Sequence, residues 1–422
     1  MRRGILHGVL WLAVGAAAFA ETPTWLSLVD QGNREQNLGH YSEAERLYRS
    51  ALEQAQLLKV EGPWLAELLN NLGAQCYYLG KPSEAERLYD RAMTEWKKLP
   101  PAWADGMRRT INNQATLFRS LGRYARAEAL LSQVADGLER VAPDSAELAG
   151  ALSKLADLYL AQGNLRDAES IARRSVRITE RLSGPPAAPL AGSLHQLATI
   201  ELKLNRLDDA VKLYQRARAS WVEIAGEQSP QVAAILGNLG QVASSRRQYR
   251  EAESLSRQSL AIWERSAGPV HPQVAVALNN LAQAVRFQGR FEEAQPLYLR
   301  SLAILERTPG WDRSDLGRFL GNFADFHHAQ GHEAKAVEYY GRALAVMREA
   351  LGPNHPEVAL LESRLADVRR AQRHYAESVR LYRQSIPILE VALGKQDQRV
   401  VQSNAAYREV LKEASRVMLF AK

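Results

Sequence analysis

The sequence predicts an all-α protein built as an α-solenoid, a stack of about nine helix pairs in a row. Two observations predict this class: one short motif returns every 41 or 42 residues, and small or aromatic residues follow it at helical spacing. The composition agrees, because Ala, Leu, Arg, Glu and Gln are abundant and the chain is 46% hydrophobic. A chain of 422 residues can reach this length as a repeat array without forming one closed core.

The repeat is marked by an alanine in the motif aromatic-x-x-Ala, first seen at Tyr41 to Ala44. Successive copies are 41 or 42 residues apart through the whole chain. So regular a spacing predicts repeated structural units rather than separate globular domains. The copies are Ala44, Ala85, Ala127, Ala168, Ala210, Ala252, Ala294, Ala336 and, in the ninth place, Ser378.

The second helix of each pair, helix B, is read from the residues that follow this alanine. In six units a tyrosine stands four residues later, and a small residue usually follows three further on, which is one face of a helix. Five residues before the alanine, six units have a glycine that suits a tight left-handed turn. Asn205 replaces it once, whereas Arg247 and Arg373 depart from the pattern. We expect those two turns to close differently or with strain.

The first helix, helix A, lies upstream and is clearest in Leu278-Asn279-Asn280-Leu281-Ala282. A small residue ends this stripe in every later unit, for example Gly73, where the two helix axes are expected to approach closely. Breaks rich in glycine and proline separate the units, as at Gly268–Pro272 and Gly352–Pro356, because proline stops one helix and starts the next.

This pattern resembles the tetratricopeptide repeat (TPR), in the long 42-residue form found in kinesin light chains. The resemblance rests on the Leu-Asn-Asn-Leu-Ala stripe of helix A, on Gly-Arg-Phe-Glu-Glu-Ala at Gly289 to Ala294, and on the His-Pro linkers. It extends from about Trp25 to the end of the chain. The resemblance implies a right-handed α-solenoid of about nine TPR helix pairs over residues 21–399. The amphipathic segment 400–422 is then expected to form a C-terminal capping helix.

The first twenty residues have the features of a secretory signal peptide. Arg2 and Arg3 precede a short apolar run, and Ala18-Phe19-Ala20 supplies the small-x-small cleavage pattern. We therefore expect an exported protein, periplasmic or extracellular, cleaved after Ala20 and without a stable membrane span afterwards. The alternative is an uncleaved membrane anchor. Cys76 is the only cysteine, so no disulfide can form within the chain.

Charge and motifs argue against several functional classes. The formal net charge is +7, two of it from the signal segment, and the arginines are spread rather than clustered, which disfavours nucleic-acid binding. No catalytic triad pattern, phosphate loop or zinc pattern is visible, so we expect no enzyme activity, no cofactor and no metal. His327, His328 and His332 form the one histidine cluster, and a surface turn explains it better than a metal site.

The resemblance also implies where a ligand would bind, because helix A lines the concave side of TPR arrays. The residue two before the small position faces that groove in the family, and here it is mostly an amide. An amide can donate to and accept from a peptide backbone of any sequence. The alternative interpretation is that these side chains bond the neighbouring helix and tie repeats together. The residues are Asn71, Asn113, Lys154, Gln196, Asn238, Asn280, Asn322 and Arg364.

The expected function is therefore a non-enzymatic protein–protein interaction module that binds an extended peptide or partner protein in its concave groove. One alternative is a structural scaffold that organises an envelope complex through its convex face, using helix B residues such as Arg216, Arg300 and Arg342. Another is a regulatory partner of a separate enzyme. Three tryptophans at one repeat position are expected to serve packing rather than ligand binding: Trp96, Trp221 and Trp263.

Overall fold

A computed structural model describes residues 24–37, 40–182, 187–308 and 313–420. Within these ranges the chain forms nineteen α-helices and no strand, so the predicted all-α class is confirmed. The expected signal segment, residues 1–20, lies outside the described residues. In the described part, no helix combines the length and the apolar character needed to cross a membrane.

The described helices form nine consecutive pairs, helix A followed by helix B, and a single helix follows the last pair. We number the pairs as repeats 1 to 9, and a short 3-10 turn at Pro101–Trp103 precedes the third. The helices are α1 (Thr24–Asn37), α2 (Tyr41–Leu57), α3 (Pro63–Tyr78), α4 (Pro82–Trp96), α5 (Ala104–Ser120), α6 (Tyr124–Val141), α7 (Ala146–Gln162), α8 (Leu165–Leu182), α9 (Ala188–Lys203), α10 (Leu207–Ala225), α11 (Pro230–Ser245), α12 (Tyr249–Ala267), α13 (Pro272–Arg286), α14 (Phe291–Glu306), α15 (Arg313–Ala329), α16 (Glu333–Leu351), α17 (Pro356–Ala371), α18 (Tyr375–Leu393) and α19 (Gln398–Phe420).

The alanines that mark the repeat form the centre of each helix pair. All eight, and Ser378 in the ninth repeat, are fully buried. The tyrosine four residues later is also buried and lies over the small residue of helix A. A β-carbon added to Gly73 would lie 2.8 Å from Tyr89 Cε1, which leaves no room for a larger residue. The small residues therefore mark close helix contacts, as the sequence predicts.

The turns between helix A and helix B share one backbone conformation. The turn glycines in the described residues have positive φ, for example 75° at Gly163, and Asn205 adopts 60°. Arg247 and Arg373 also adopt it, with φ of 61° and 63°. These two turns therefore close in the same way as the others. Of the two expectations for these turns, a different closure is wrong and strain remains, because a residue with a β-carbon is disfavoured in the left-handed conformation.

The chain divides into two compact units. The first ends at Asn113 and the second begins at Gln114. We call residues 24–113 unit 1 and residues 114–420 unit 2. In unit 2, residues that are far apart in sequence also meet: His355, before α17, donates a hydrogen bond to the carbonyl oxygen of Ala161 in α7. The stack of unit 2 therefore curves until repeat 9 reaches repeat 4.

Candidate functional site

One side of unit 2 brings consecutive helices A together. α7 contacts α9, α9 contacts α11, and the relation continues through α13, α15 and α17. In the described part of unit 2, helices B of consecutive repeats do not approach each other to the same extent. Because helices are closest on the inner side of a curved stack, helices A line the concave face of unit 2.

Two of the predicted groove residues donate a hydrogen bond to an asparagine on the preceding helix A. The Nδ2 of Asn113 donates to Oδ1 of Asn70 over 3.0 Å, within unit 1. In unit 2, Asn322 Nδ2 donates to Asn279 Oδ1 over 3.2 Å. Each bond joins neighbouring repeats and leaves the oxygen of the donating amide as a remaining acceptor.

Two more residues make the same link through other partners. Gln196 Nε2 donates to the carbonyl oxygen of Ser153 over 2.6 Å. The Asn238 amide donates to His195 Nε2 over 2.8 Å, so the neutral ring carries its proton on Nδ1. Burial lowers the pKa of His195 to about 4 and keeps the ring neutral near pH 7. All four partners lie 43 residues before the donor.

The link is absent where the partner position is a glycine. That position is Gly237 for Asn280 and Gly321 for Arg364. Asn280 is only 7% exposed, yet its side chain forms no hydrogen bond among the described residues. Arg364 instead pairs with Asp325 over 3.2 Å. Asn280 is therefore the one groove amide of unit 2 whose donor and acceptor both lack a protein partner among the described residues.

The remaining two predicted groove residues differ from these. Asn71 Oδ1 accepts from Asn70 Nδ2 over 3.2 Å, within its own helix. Lys154 is exposed on α7. The structure thus divides the eight residues into those that tie repeats together and those that do not. Whether any of them binds a partner stays a prediction.

A second polar row, one residue after the small position of helix A, is bound to helix B of the same repeat. The hydroxyl of Tyr382 donates to Asp367 Oδ1 over 2.5 Å, and Tyr340 donates likewise to Asp325. Thr199 makes the equivalent bond with Tyr214. Burial raises the pKa of Asp367, and the bond from Tyr382 opposes that rise. These polar residues therefore hold the helix pairs together.

A cavity of about 530 Å³ lies on the concave face of unit 2, between repeat 5 and repeats 8 and 9. Four cationic side chains line it together with Glu357, whose pKa falls to about 2, chiefly because Lys203 lies beside it. Lys203 Nζ donates to Glu357 Oε1 over 3.2 Å. The wall is therefore charged and internally paired. The four cations are Lys203, Arg318, Arg364 and Arg399.

One group of side chains in unit 1 has the spacing of metal ligands, namely Glu45, Cys76 and Glu84. Lys81 Nζ lies 2.7 Å from both oxygens of Glu45, and Arg49 pairs with both glutamates. Burial raises the pKa of Cys76 to about 12, so it stays a thiol. The two glutamates already have cationic partners, and the group fits an ion-pair cluster better than a metal site.

The histidine cluster is divided by its surroundings. The ring of His327 is buried and stacks on Tyr339 with centroids 5.4 Å apart, and burial lowers its pKa to about 4. His328 Nδ1 lies 2.7 Å from Glu333 Oε2, while His332 is exposed at the start of α16. The ring centroids of His327 and His332 lie 6.0 Å apart, and His327 is buried within α15, so the surface-turn interpretation fits His332 and is wrong for His327.

Ion pairs between successive repeats were missed in the sequence. Glu253 of α12 accepts from Arg257 on its own helix and from Arg290 of repeat 7, both near 2.7 to 2.8 Å. Arg257 also reaches Glu293. The same arrangement recurs around Glu45 and Glu169. A glutamate directly after the repeat alanine, with an arginine four residues later, is the signal that could have found it.

The family model of the tetratricopeptide repeat matches residues 27–94, 106–181, 189–264, 245–307 and 315–390. The matches cover well over half of the chain. Among curated proteins, none matches the sequence.

Several solved structures are similar. BtubC (BKLC) from P. vanneervenii is 27% identical, with a TM-score of 0.43, over 53% of this chain and 90% of that one. A putative kinesin light chain of Podosopora anserina is 23% identical, with a TM-score of 0.40, over 47% and 95%. A Rap protein complexed with competence and sporulation factor is 15% identical, with a TM-score of 0.61, over 89% and 100%. The last likeness concerns the fold alone.

Proposed function

The chain belongs to the tetratricopeptide repeat family, a class of protein–protein interaction modules, and from that premise we propose that the concave face of unit 2 binds an extended segment of a partner protein. The function proposed is non-enzymatic. Consecutive helices A present polar side chains at one repeat position along this face. Such a row suits an extended backbone, whose donors and acceptors also recur at a fixed interval.

Asn280 is the observation that carries this proposal. The side chain of Asn280 forms no hydrogen bond among the described residues, and neither its Oδ1 nor its Nδ2 is among the fully buried unpaired atoms, so both can be reached from the groove. A β-carbon at Gly237 would lie 3.8 Å from its Nδ2, so the glycine leaves space beside the amide. A peptide group offers one acceptor and one donor, which is the complement of a carboxamide.

The alternative of a scaffold that uses its convex face receives less support. The helix B arginines that could serve it are paired with glutamates of the preceding helix B. Arg216 Nη2 lies 2.7 Å from Glu180, and Arg342 Nη2 lies 2.9 Å from Glu306. Exposed pairs of this kind contribute about 0–1 kcal/mol and use charge that a convex partner would need.

The experiment compares two asparagines that differ only in their internal bond. The immobilised mature chain captures partners from envelope extract, and the affinity of a captured protein is then measured for Asn280→Ala and Asn322→Ala. Asn280→Ala is expected to weaken binding by about tenfold without lowering stability, because one buried bond to the partner is lost. Asn322→Ala is expected to lower the free energy of unfolding by about 1 kcal/mol. Equal affinities for wild type and Asn280→Ala would reject the groove.

The cellular location of the protein is proposed from its N-terminal segment. The charged start, apolar run and small residues up to Ala20 support export to the periplasm or beyond. N-terminal sequencing of the protein recovered from the envelope fraction is expected to begin at Glu21. A start at Met1 in a membrane pellet would favour the uncleaved anchor.

A further inference from the structure

The curvature of unit 2 brings two edges of the array into contact. One edge is formed by the helix A ends of repeats 4 and 5, and the other by the starts of α17 and α19. His355 lies 2.7 Å from the Ala161 carbonyl oxygen, and Lys203 lies 3.2 Å from Glu357. Arg399 also donates to the Lys203 carbonyl oxygen over 3.1 Å. We call this set of residues the closing contact.

The closing contact fits closely at one point. The α7–α8 turn contains Gly163, and a β-carbon there would lie 2.7 Å from Pro356 Cγ. The other turn glycines of the helix pairs in the described residues have nothing so near: around Gly289 and Gly331 the space is empty to 4 Å. At Gly122, in the turn of repeat 3, the nearest atom is the Ala350 carbonyl oxygen at 3.6 Å, so the turn of repeat 4 makes the tightest of these contacts.

The closing contact is polar, unlike the contacts between neighbouring repeats. Neighbours share buried leucine, tyrosine and phenylalanine side chains in continuous clusters. The closing contact instead includes one half-buried ion pair, two hydrogen bonds to backbone carbonyls and the contact of Pro356 with Gly163. The hydrophobic clusters on the two sides are separate, and edges that share no hydrophobic cluster can part while both stay folded.

We propose that the closing contact is a reversible latch that guards the concave face of unit 2. While it holds, the gap between the two edges is sealed by Lys203, Glu357 and Arg399, and entry to the cavity from that side is blocked. Its release admits a partner segment from the side. This proposal rests on the proposed function, because the guarded surface is the proposed partner site.

The charges at the latch indicate that the ion pair between Lys203 and Glu357 holds it closed. Lys203 and Arg318 both act on Glu357, and Lys203 has the larger effect. Arg399 is held toward Lys203 by two bonds to Asp397, at 2.9 and 2.8 Å. Reversing the charge of Lys203 would place two carboxylates at 3 to 4 Å and push the edges apart. Exchanging the two charges would restore the attraction.

The test measures access to the groove without a partner. In the full chain with Cys76→Ala, Lys154→Cys provides an exposed thiol at a predicted groove position of repeat 4, and Gly341→Cys provides an exposed thiol on helix B. Each is reacted with N-ethylmaleimide and with a maleimide carrying a long polyethylene glycol chain. The rate with N-ethylmaleimide divided by the rate with the large maleimide measures how strongly the large reagent is excluded from each thiol. Lys203→Glu is expected to reduce this exclusion at position 154 by about tenfold, and Lys203→Glu with Glu357→Lys to restore most of it.

The controls separate this proposal from the proposed function. Arg216→Glu breaks an ion pair of similar length between neighbouring repeats, and it should leave exclusion unchanged. The ratio at position 341 should be the same in every variant. If Lys203→Glu leaves exclusion at position 154 unchanged, or if the exchange does not restore it, the latch is rejected. Neither result touches the Asn280→Ala affinity measurement, which tests the groove itself.

Discussion

Two linkers of the chain have nearly the same sequence and different roles. Gly268–Pro272 and Gly352–Pro356 both read Gly-Pro-x-His-Pro. In each, the histidine Nδ1 accepts from the backbone N–H two residues later over 3.2 Å and so caps the next helix A. Only the second histidine, His355, also reaches a distant residue, the carbonyl oxygen of Ala161. His271 instead faces the ring of Trp263.

The comparison teaches that a repeated sequence fixes repeated local structure, while position in the stack decides which residues gain a second role. Both histidines cap because the chain around them is alike. His355 gains its second bond because the curvature of unit 2 brings repeat 9, and not repeat 7, next to Ala161 in repeat 4. Four predictions test this comparison, and two of them use a pair of equivalent residues, one at the closing contact and one away from it.

The largest difference is expected between two turn glycines. Gly163→Ala and Gly331→Ala both place a β-carbon at φ near 75°, which costs about 1 kcal/mol. At Gly163 the β-carbon also meets Pro356, which adds roughly 1–3 kcal/mol if the edges do not move. Urea denaturation of both variants measures the difference. Equal losses would mean that the edges separate freely.

The second prediction concerns the histidines themselves. His271→Ala removes a helix cap, and about 1 kcal/mol of stability should be lost. His355→Ala removes the cap and the bond to Ala161, and we expect a loss of about 2 kcal/mol. The midpoints of urea denaturation compare the two variants. A loss at position 355 no greater than that at position 271 would contradict a stabilising role for the distant bond.

The third prediction concerns pH. Burial lowers the pKa of His355 below its usual 6.5; Glu357 and the Ala161 carbonyl oppose this, while Lys203 adds to it. Its neutral form donates from Nε2 and accepts at Nδ1, so protonation removes the cap bond. Stability from this group is complete above pH 6.5 and declines as the pH falls toward its lowered pKa, by at most about 1.4 kcal/mol per pH unit.

The measurement is stability between pH 7 and 5 for wild type and His355→Ala. Other histidines titrate in the same direction, since partial or full burial also lowers the pKa of His195, His271 and His327. The difference between the two pH profiles isolates His355. Parallel profiles would show that its protonation is not linked to stability. Glu357 is tested below pH 4.5, where its contribution is lost as the pH falls toward about 2.

The smallest effect is expected where the feature is local. Arg247 and Arg373 both hold a left-handed turn, and replacing either by glycine should stabilise the protein by about 0.5–1 kcal/mol. Arg373 lies in repeat 9 and Arg247 in repeat 6, so equal gains would show that turn strain does not depend on place in the stack. Thermal unfolding measures both. Unequal gains would show that the Arg373 side chain has a further contact in solution.

Much of the fold was predictable because each repeat contains the same local signals. Ala252 or Tyr298 packs inside its own helix pair, and the chain repeats that packing nine times. The division of the groove amides was also within reach: Asn322 has Asn279 at the partner position, whereas Asn280 has Gly237. The closing contact could not be predicted, because nearly 200 residues separate Ala161 from His355. The curvature that brings them together is the sum of small rotations between repeats, which no single repeat reveals.

The bond between His355 and Ala161 also bears on how the molecule comes apart. In an open array each end repeat can fray alone, and the loss spreads inward one neighbour at a time. In unit 2 the ninth repeat is bound to the fourth as well as to the eighth, so the closing contact has to open before the ninth repeat can unfold. Hydrogen exchange should then report slower opening of repeat 9 than of a repeat at a free end. Forming that fastening requires closing a loop of nearly 200 residues, a late and slow event in folding.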